Sequence, residues 1–175
     1  MTFIRLSNIL DYIYKGKIME EKKIEFVFNI IKNEELTKFD KQLRNIVIEA
    51  SEKAYAPYSK LRVGAAIMFE TGCYIKGNNQ ENAAFPSGLC AERVVLFSAL
   101  SEFSTVKIKS LGIMAVKNDK IQPSISPCGA CCQVLLEAEQ RNEQDIRVLL
   151  FGRDKTIIVP TAKCLLPFYF GKRFF

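Results

Sequence analysis

The spacing of apolar residues along the chain predicts three helices. In residues 36–55 apolar positions recur every three or four residues, which is the period of a helix that turns one face towards a core. Residues 90–102 and roughly 128–141 are also predicted as helices, and Pro127 stands where the third would begin. The apolar positions of the first helix are Leu36, Phe39, Leu43, Val47, Ala50 and Ala54.

Shorter apolar runs between turn residues predict five strands. Residues 62–69 and 73–77 are separated by Glu70-Thr71-Gly72, which indicates a hairpin. The other predicted strands are residues 109–116, 147–151 and 157–159. The resulting order, α-β-β-α-β-α-β-β, predicts an α/β fold: a three-layer α-β-α sandwich with a mixed five-stranded sheet.

The N-terminal region differs in pattern from the rest of the chain. Residues 1–35 mix Ile, Tyr, Lys and Glu with few Gly or Pro residues, so we predict a partly helical or loosely ordered extension. Met19 is a possible alternative start of the chain. Residues 36–175 form the predicted folded domain. No apolar run is long enough for a membrane span, and the N-terminus does not resemble a secretory signal. We therefore expect a cytoplasmic, reducing location without membrane attachment.

The amino-acid composition limits the possible catalytic and metal-binding groups more than the net charge does. The 175 residues include no histidine, which excludes Ser-His-Asp and Cys-His catalytic pairs as well as histidine metal ligands. A transition-metal site would have to use the six cysteines. The net charge of +6 is scattered along the sequence, which is typical of a solvated basic surface, and no nucleic-acid partner is expected.

Three of the cysteines have the spacing of a metal site. Cys128 and Cys131 are three residues apart at a predicted helix start, so their thiols share one face and suit two corners of a zinc tetrahedron. Cys90 also begins a predicted helix, where the unpaired N–H groups favour the thiolate that binds metal. Three thiolates would leave one position for water, which is the pattern of catalytic zinc sites.

Glu92, two residues after Cys90, is the candidate proton carrier. Zinc lowers the pKa of bound water towards about 7, and a nearby carboxylate can accept the released proton. The alternative is a first-turn glutamate that is favoured only by the helix dipole. A CxxC pair alone also occurs in redox proteins and structural zinc ribbons. A Cys-x-Glu followed by Pro-Cys-x-x-Cys is, however, typical of zinc deaminases.

With these motifs the sequence resembles the homo-oligomeric cytidine deaminases over roughly residues 54–171. The matching segments are residues 54–59, 63–66, 79–83, 88–93, 126–131 and 165–167. The resemblance implies a cytidine deaminase-like catalytic domain in residues 36–175. It also implies one Zn²⁺ per subunit on Cys90, Cys128 and Cys131, with Glu92 as the proton shuttle.

The resemblance further implies the residues that bind substrate. Asn79 and Glu81 match a pair that holds the ribose 3′-hydroxyl, and an amide with a carboxylate can both donate to and accept from a hydroxyl. The Ala91 backbone would contact the base, and Phe170 would stack on the base of a neighbouring subunit. Arg93 would donate to the cysteine sulfurs and lower their electron donation to the metal.

Three positions depart from the family pattern. Leu61 stands where Phe is usual and Phe85 where Tyr is usual, so this substrate site would have one aromatic wall and one hydroxyl fewer. Cys132 replaces a usual Arg. Adjacent helical residues point about 100° apart, so Cys132 should not share a metal with its neighbour. Cys73 and Cys164 have no motif around them and are predicted to be small buried apolar residues.

The resemblance implies hydrolytic deamination of cytidine and deoxycytidine to uridine and deoxyuridine, with release of ammonia, in pyrimidine salvage by a homotetramer. Three alternatives remain open from the residues. A related deaminase could act on an aminonucleoside antibiotic or on a base within nucleic acid. The chain could also be a zinc-stabilised binding protein without turnover, or a dithiol redox protein that uses Cys128 and Cys131.

Overall fold

The computed structural model describes Glu20 and residues 22–171. In this part of the chain three helices lie on the two faces of a seven-stranded sheet. The helices are α1 (Lys38–Glu52), α2 (Ala91–Glu102) and α3 (Gly129–Asn142). Short 3-10 turns cover Asn33–Glu35, Phe85–Ser87 and Ala162–Leu165. The three predicted helices are therefore confirmed.

The sheet is mixed, as predicted. Its strands are β1 (Asn29–Lys32), β2 (Leu61–Phe69), β3 (Tyr74–Asn78), β4 (Ile108–Lys117), β5 (Lys120–Ile121), β6 (Arg147–Phe151) and β7 (Lys155–Val159). They run in the order β1-β7-β6-β4-β2-β3, with β5 paired to β4. Only the β4–β6 pair is parallel within the described residues.

The predicted number of five strands is wrong, because β1 and β5 were not expected. β5 has two residues, which is too short to show an alternating pattern. β1 lies at the sheet edge and most of its residues are exposed, so it lacks the buried side that strand prediction relies on. It pairs with β7 through Asn29 opposite Ile158 and Lys32 opposite Lys155.

β1 lies inside the segment that was predicted to be an N-terminal extension. Residues 29–35 form this edge strand and the following 3-10 turn. The division at residue 36 stays a prediction. Residues 22–28 of the predicted extension form neither helix nor strand. The possible start at Met19 and the rest of the extension before residue 22, apart from Glu20, lie outside the described residues.

An apolar cluster covers each face of the sheet. Alternate residues of β2 point to opposite sides, so that Ala65 and Ile67 belong to the cluster under α2 and α3. Ala66 and Met68 belong to the other cluster, which lies under α1. The arrangement confirms the α-β-α sandwich.

The buried face of α1 differs from the predicted one at its first turn. Phe39 is 58% exposed, whereas Asp40 is 2% exposed. The two carboxylate oxygens of Asp40 accept bonds of 3.4 and 3.3 Å from the guanidinium of Arg147 on β6. This ion pair, together with a hydroxyl bond from Thr37, lets the charged residue take the position facing the sheet.

Close backbone contact fixes the position of α2 over the sheet. A Cβ added to Gly77 of β3 would lie 2.9 Å from the backbone nitrogen of Val95. Only glycine therefore lets the first turns of α2 approach β3 this closely. α2 packs beside α3, so the beginnings of the two helices meet above the same face of the sheet.

Candidate metal centre and adjoining cleft

The beginnings of α2 and α3 bring the three motif cysteines together. Cys90 is the N-cap residue of α2, Cys128 is the N-cap residue of α3, and Cys131 lies in the first turn of α3. The Sγ atoms of Cys90 and Cys128 are 3.8 Å apart, and those of Cys128 and Cys131 are 3.4 Å apart. All three sulfurs lie within 4.8 Å of one another.

These separations fit a zinc ion. With Zn–S bonds near 2.3 Å, two corners of a tetrahedron are about 3.8 Å apart. Among the described residues, no fourth cysteine or carboxylate belongs to the group. The trio would therefore hold Zn²⁺ at three corners and leave the fourth to water or substrate.

Hydrogen bonds among the thiols already favour ionisation at one of them. A bond from Cys131 lowers the pKa of Cys90 to about 5, and the same contact raises the pKa of Cys131. A divalent cation among the sulfurs would favour the thiolate at all three. Arg93 adds positive charge, because its Nη2 lies 4.0 Å from Cys90 Sγ and 3.5 Å from the Gly88 carbonyl oxygen.

Glu92 lies in the first turn of α2 beside this group and is 5% exposed. Burial raises the pKa of its carboxyl, and the negative charge of Cys90 adds to the effect. A carboxyl with a raised pKa can be protonated and deprotonated closer to neutral pH, which general acid–base catalysis requires.

The remaining cysteines lie apart from the metal group. The Cys132 thiol donates to the Pro127 carbonyl oxygen at 3.6 Å, which confirms that it points away from the site. Cys73 is exposed, so the prediction that it is buried is wrong: it follows the hairpin turn between β2 and β3. Cys164 is partly buried and packs against the core under α2 and α3.

A cleft of about 530 Å³ opens beside Cys90. Five residues predicted from the sequence line it: Asn79, Glu81, Phe85, Cys90 and Arg93. Glu92, Cys128 and Cys131 lie behind Cys90 and do not line the cleft, and neither do three of the residues predicted to bind substrate. Ala91 is fully buried behind Cys90, and the Leu61 carbonyl oxygen accepts a bond from Asn79. The Phe170 carbonyl oxygen accepts a bond of 2.8 Å from Gln133 of α3.

A short backbone ladder connects the cleft to the metal group. The N–H and carbonyl of Gln80 both pair with Leu89 at 2.9 Å, and Leu89 immediately precedes Cys90. On the other side of the ladder, the Tyr55 N–H donates to Asn79 and the Tyr55 carbonyl accepts from Glu81. Asn79 and Glu81 flank Gln80, so this ladder fixes their distance from the metal group.

Asn79 and Glu81 are both held in place by hydrogen bonds with residues 58–63. Asn79 is 8% exposed; its Oδ1 accepts from the Val63 N–H at 2.8 Å and its Nδ2 donates to the Leu61 carbonyl at 3.0 Å. The Glu81 carboxylate accepts bonds from the Ser59 hydroxyl and from the N–H groups of Tyr58 and Ser59. The bond from the Ser59 hydroxyl makes the largest contribution to lowering the pKa of Glu81.

Sequence reasoning missed Tyr58 and Ser59, which line the cleft. The Tyr58 ring meets the edge of the Phe85 ring, with centroids 6.1 Å apart. In the sequence, residues 54–59 matched the family pattern, but no role was assigned to any of them. The contribution of this segment to the cleft depends on the contact with Glu81, 22 residues further along the chain, which periodicity cannot reveal.

Comparison with known proteins identifies the family of this chain. The family profile described as the cytidine and deoxycytidylate deaminase zinc-binding region matches residues 37–143. A cytidine deaminase of Halalkalibacterium halodurans is 44% identical over 90 residues, and one of Sporosarcina psychrophila is 45% identical over 89 residues. Each alignment covers 51% of this chain, and they cover 64% and 62% of the two relatives, slightly less than two thirds of their length.

A solved structure extends the comparison to about three quarters of the chain. The crystal structure of cytidine deaminase from Burkholderia pseudomallei superposes with a TM-score of 0.63 and 34% sequence identity. The superposition covers 77% of this chain and all of that one. The matched range, residues 37–143, includes the three clustered cysteines and Glu92 of this chain. The chain belongs to the cytidine and deoxycytidylate deaminase family of zinc-binding proteins.

Proposed function

We propose that the protein is a zinc-dependent cytidine deaminase that hydrolyses cytidine and deoxycytidine to uridine and deoxyuridine and releases ammonia, as in pyrimidine salvage. The observation that carries this proposal is the trio of sulfurs at zinc spacing beside a buried glutamate, at the end of a cleft of about 530 Å³. The names of its relatives, which are cytidine deaminases, support the same substrate.

The proposed chemistry divides between the metal and Glu92. Zn²⁺ on Cys90, Cys128 and Cys131 would supply the Lewis acidity that makes water nucleophilic near neutral pH. Glu92 accepts a proton from the attacking water and delivers it to N3 of the base while the water oxygen adds to C4. It then carries the remaining proton of the added oxygen to the C4 amino group, which leaves as ammonia when the C4–N bond breaks and the C4=O bond of the uracil ring forms. The raised pKa of Glu92 suits both transfers.

Arg93 would act on the metal ligands rather than on the substrate. Three thiolates and one Zn²⁺ carry a net charge of −1, which opposes ionisation of water at the open corner. The guanidinium near Cys90 Sγ offsets part of this charge. Since Cys132 stands where the family usually has a second arginine, Arg93 would carry this role alone at that point of the site.

The cleft favours a free nucleoside over a nucleic acid. Asn79 and Glu81 would hold the 3′-hydroxyl of the sugar, and a 3′-hydroxyl held in this way cannot be part of a phosphodiester. Arg93 is the only cationic residue among the described residues that line the cleft, and it lies beside a sulfur. Lys60 acts on the Glu81 carboxylate without lining the cleft, so the preference for a free nucleoside rests on the contact with the 3′-hydroxyl.

The remaining parts of the proposal concern assembly and location. We propose a homotetramer in which Phe170, which is 59% exposed, reaches the base bound by a neighbouring subunit. Among Glu20 and residues 22–171, no helix has the length and apolar character to cross a membrane. A cytoplasmic location would keep the metal-binding thiols reduced.

Substitution of Glu92 by glutamine tests the proposed reaction. We expect the variant to retain one zinc per subunit while kcat for cytidine falls by about 100-fold or more, since proton transfer by a positioned group typically contributes that much. Ammonia release and zinc content are measured on the same samples. The matched control is Glu102→Gln, an exposed residue at the other end of α2, which should behave as wild type.

The same assay separates the alternatives. Near-normal kcat in Glu92→Gln would contradict the proposed reaction. Wild-type protein that binds cytidine without releasing ammonia would indicate a binding protein instead. Release of ammonia from a cytosine-containing oligonucleotide but not from cytidine would indicate a nucleic-acid substrate.

A further inference from the structure

Ser59, to which the sequence analysis assigned no role, makes three hydrogen bonds at the edge of the cleft. Its hydroxyl donates to Glu81 Oε1 and also accepts from the Leu61 N–H at 2.9 Å. Its own N–H donates to Glu81 Oε2 at 3.3 Å, next to the bond of 2.9 Å from Tyr58. Ser59 thus joins the carboxylate of one loop to the first residue of β2.

The same stretch of chain also holds Asn79. The Leu61 carbonyl and the Val63 N–H bind the two ends of the Asn79 amide. Residues 59–63 are therefore a template against which both Asn79 and Glu81 are oriented. Leu61 and Val63 bind Asn79 through their backbone. Ser59 is the residue of this template that binds Glu81 through its side chain, so a substitution can test it.

The bonds from Ser59 and Tyr58 determine how much of the carboxylate is left for a ligand. An ionised carboxylate has about four acceptor sites on its two oxygens. The two N–H groups occupy sites on Oε2 and the Ser59 hydroxyl occupies one on Oε1. One site on Oε1 remains for a donor in the cleft, such as a sugar hydroxyl.

We propose that Ser59 is a positioning residue for nucleoside binding, which fixes the Glu81 carboxylate so that Oε1 accepts one hydrogen bond from the 3′-hydroxyl of the sugar. The inference rests on the proposed function, since it takes a cytosine nucleoside as the ligand. Ser59 acts on affinity through Glu81 and has no contact with the reacting atoms. Its loss should therefore raise KM and leave kcat nearly unchanged.

The test compares Ser59→Ala with wild type on three nucleosides. With cytidine and 2′-deoxycytidine, we expect KM to rise about five- to tenfold and kcat to change less than twofold, because an oriented charge-assisted hydrogen bond to the sugar is weakened. With 3′-deoxycytidine, which lacks the hydroxyl that Glu81 would accept, the substitution should change KM less than twofold. Ser59→Thr keeps the hydroxyl and should restore the wild-type KM for cytidine.

Controls distinguish positioning from a general loss of structure. Ser101→Ala, an exposed serine in the last turn of α2, should match wild type on all three substrates. A rise in KM of Ser59→Ala that is equal for all three nucleosides would overturn the inference, as would unchanged KM for cytidine or a large fall in kcat. If wild type shows no turnover, the proposed function fails, and calorimetric titration of the three nucleosides makes the same comparison for Ser59.

Discussion

Glu139 is a buried carboxylate on α3 whose removal should destabilise the fold by a predictable amount. It is 2% exposed and accepts bonds from the N–H groups of Ile146 at 2.9 Å and Ala162 at 2.7 Å. It also accepts a bond of 2.7 Å from the Thr161 hydroxyl. These bonds join α3 to the start of β6 and to the 3-10 turn that leads into the C-terminal tail.

The magnitude follows from the donors that Glu139→Ala would leave without an acceptor. Ile146 and Ala162 are both fully buried, and an unsatisfied buried N–H costs about 1–3 kcal/mol. Thr161 is partly exposed and can turn its hydroxyl to water. We therefore expect the free energy of unfolding to fall by about 3–5 kcal/mol. Lys163, 3.7 Å from Glu139 and half exposed, adds little, as exposed ion pairs generally do.

Urea denaturation followed by circular dichroism measures this loss, at fixed protein concentration and saturating zinc so that binding and assembly contribute equally to all samples. The matched control is Glu137→Ala, an exposed glutamate on the same helix, for which we expect a change within about 0.5 kcal/mol. A loss below about 1 kcal/mol in Glu139→Ala, or one no larger than in the control, would refute the assignment of Glu139 as an acceptor for buried backbone.

Three further predictions concern the metal, the pH profile and the packing of α2. Metal analysis should show that Cys128→Ala loses zinc and that Cys132→Ala retains it, because the Cys128 thiol belongs to the metal group and the Cys132 thiol points to the Pro127 carbonyl oxygen. The Ser59 bond holds the pKa of Glu81 below its usual value, so in Glu92→Gln, where Glu92 cannot titrate, the affinity for the product uridine should persist through the usual glutamate range and weaken only at more acid pH; calorimetric titration that shows binding lost near neutrality would contradict this. Gly77→Ala should lower stability in urea by about 1–3 kcal/mol, because its Cβ would press on the backbone of α2; an unchanged midpoint would show that the helix can shift freely.

Local patterns were sufficient for most of the fold. The three helices and five of the seven strands of the described residues follow from apolar spacing and turn residues. The failures have a common cause in long-range contacts. β1 depends on pairing with β7, more than 120 residues away, and Asp40 is buried because Arg147 neutralises it.

The residues of the candidate site also fall into those that local motifs reveal and those that depend on long-range contacts. Cys90, Cys128 and Cys131 could be grouped from sequence because two short motifs and helix starts were enough to place them. Tyr58 and Ser59 could not be found from their own surroundings, since their place in the cleft depends on the loop that carries Glu81. The resemblance supplied roles for Leu61, Ala91 and Phe170, which do not line the cleft of the single chain.

The N-cap positions of Cys90 and Cys128 have a consequence for the protein without metal. Neither side chain caps a backbone N–H, so the opening turns of α2 and α3 lack the usual local protection against fraying. A cation on both thiols would tie the two openings together and take the place of the missing caps. Chelation should therefore accelerate amide hydrogen exchange first at these two helix beginnings, while the central strands exchange as slowly as before.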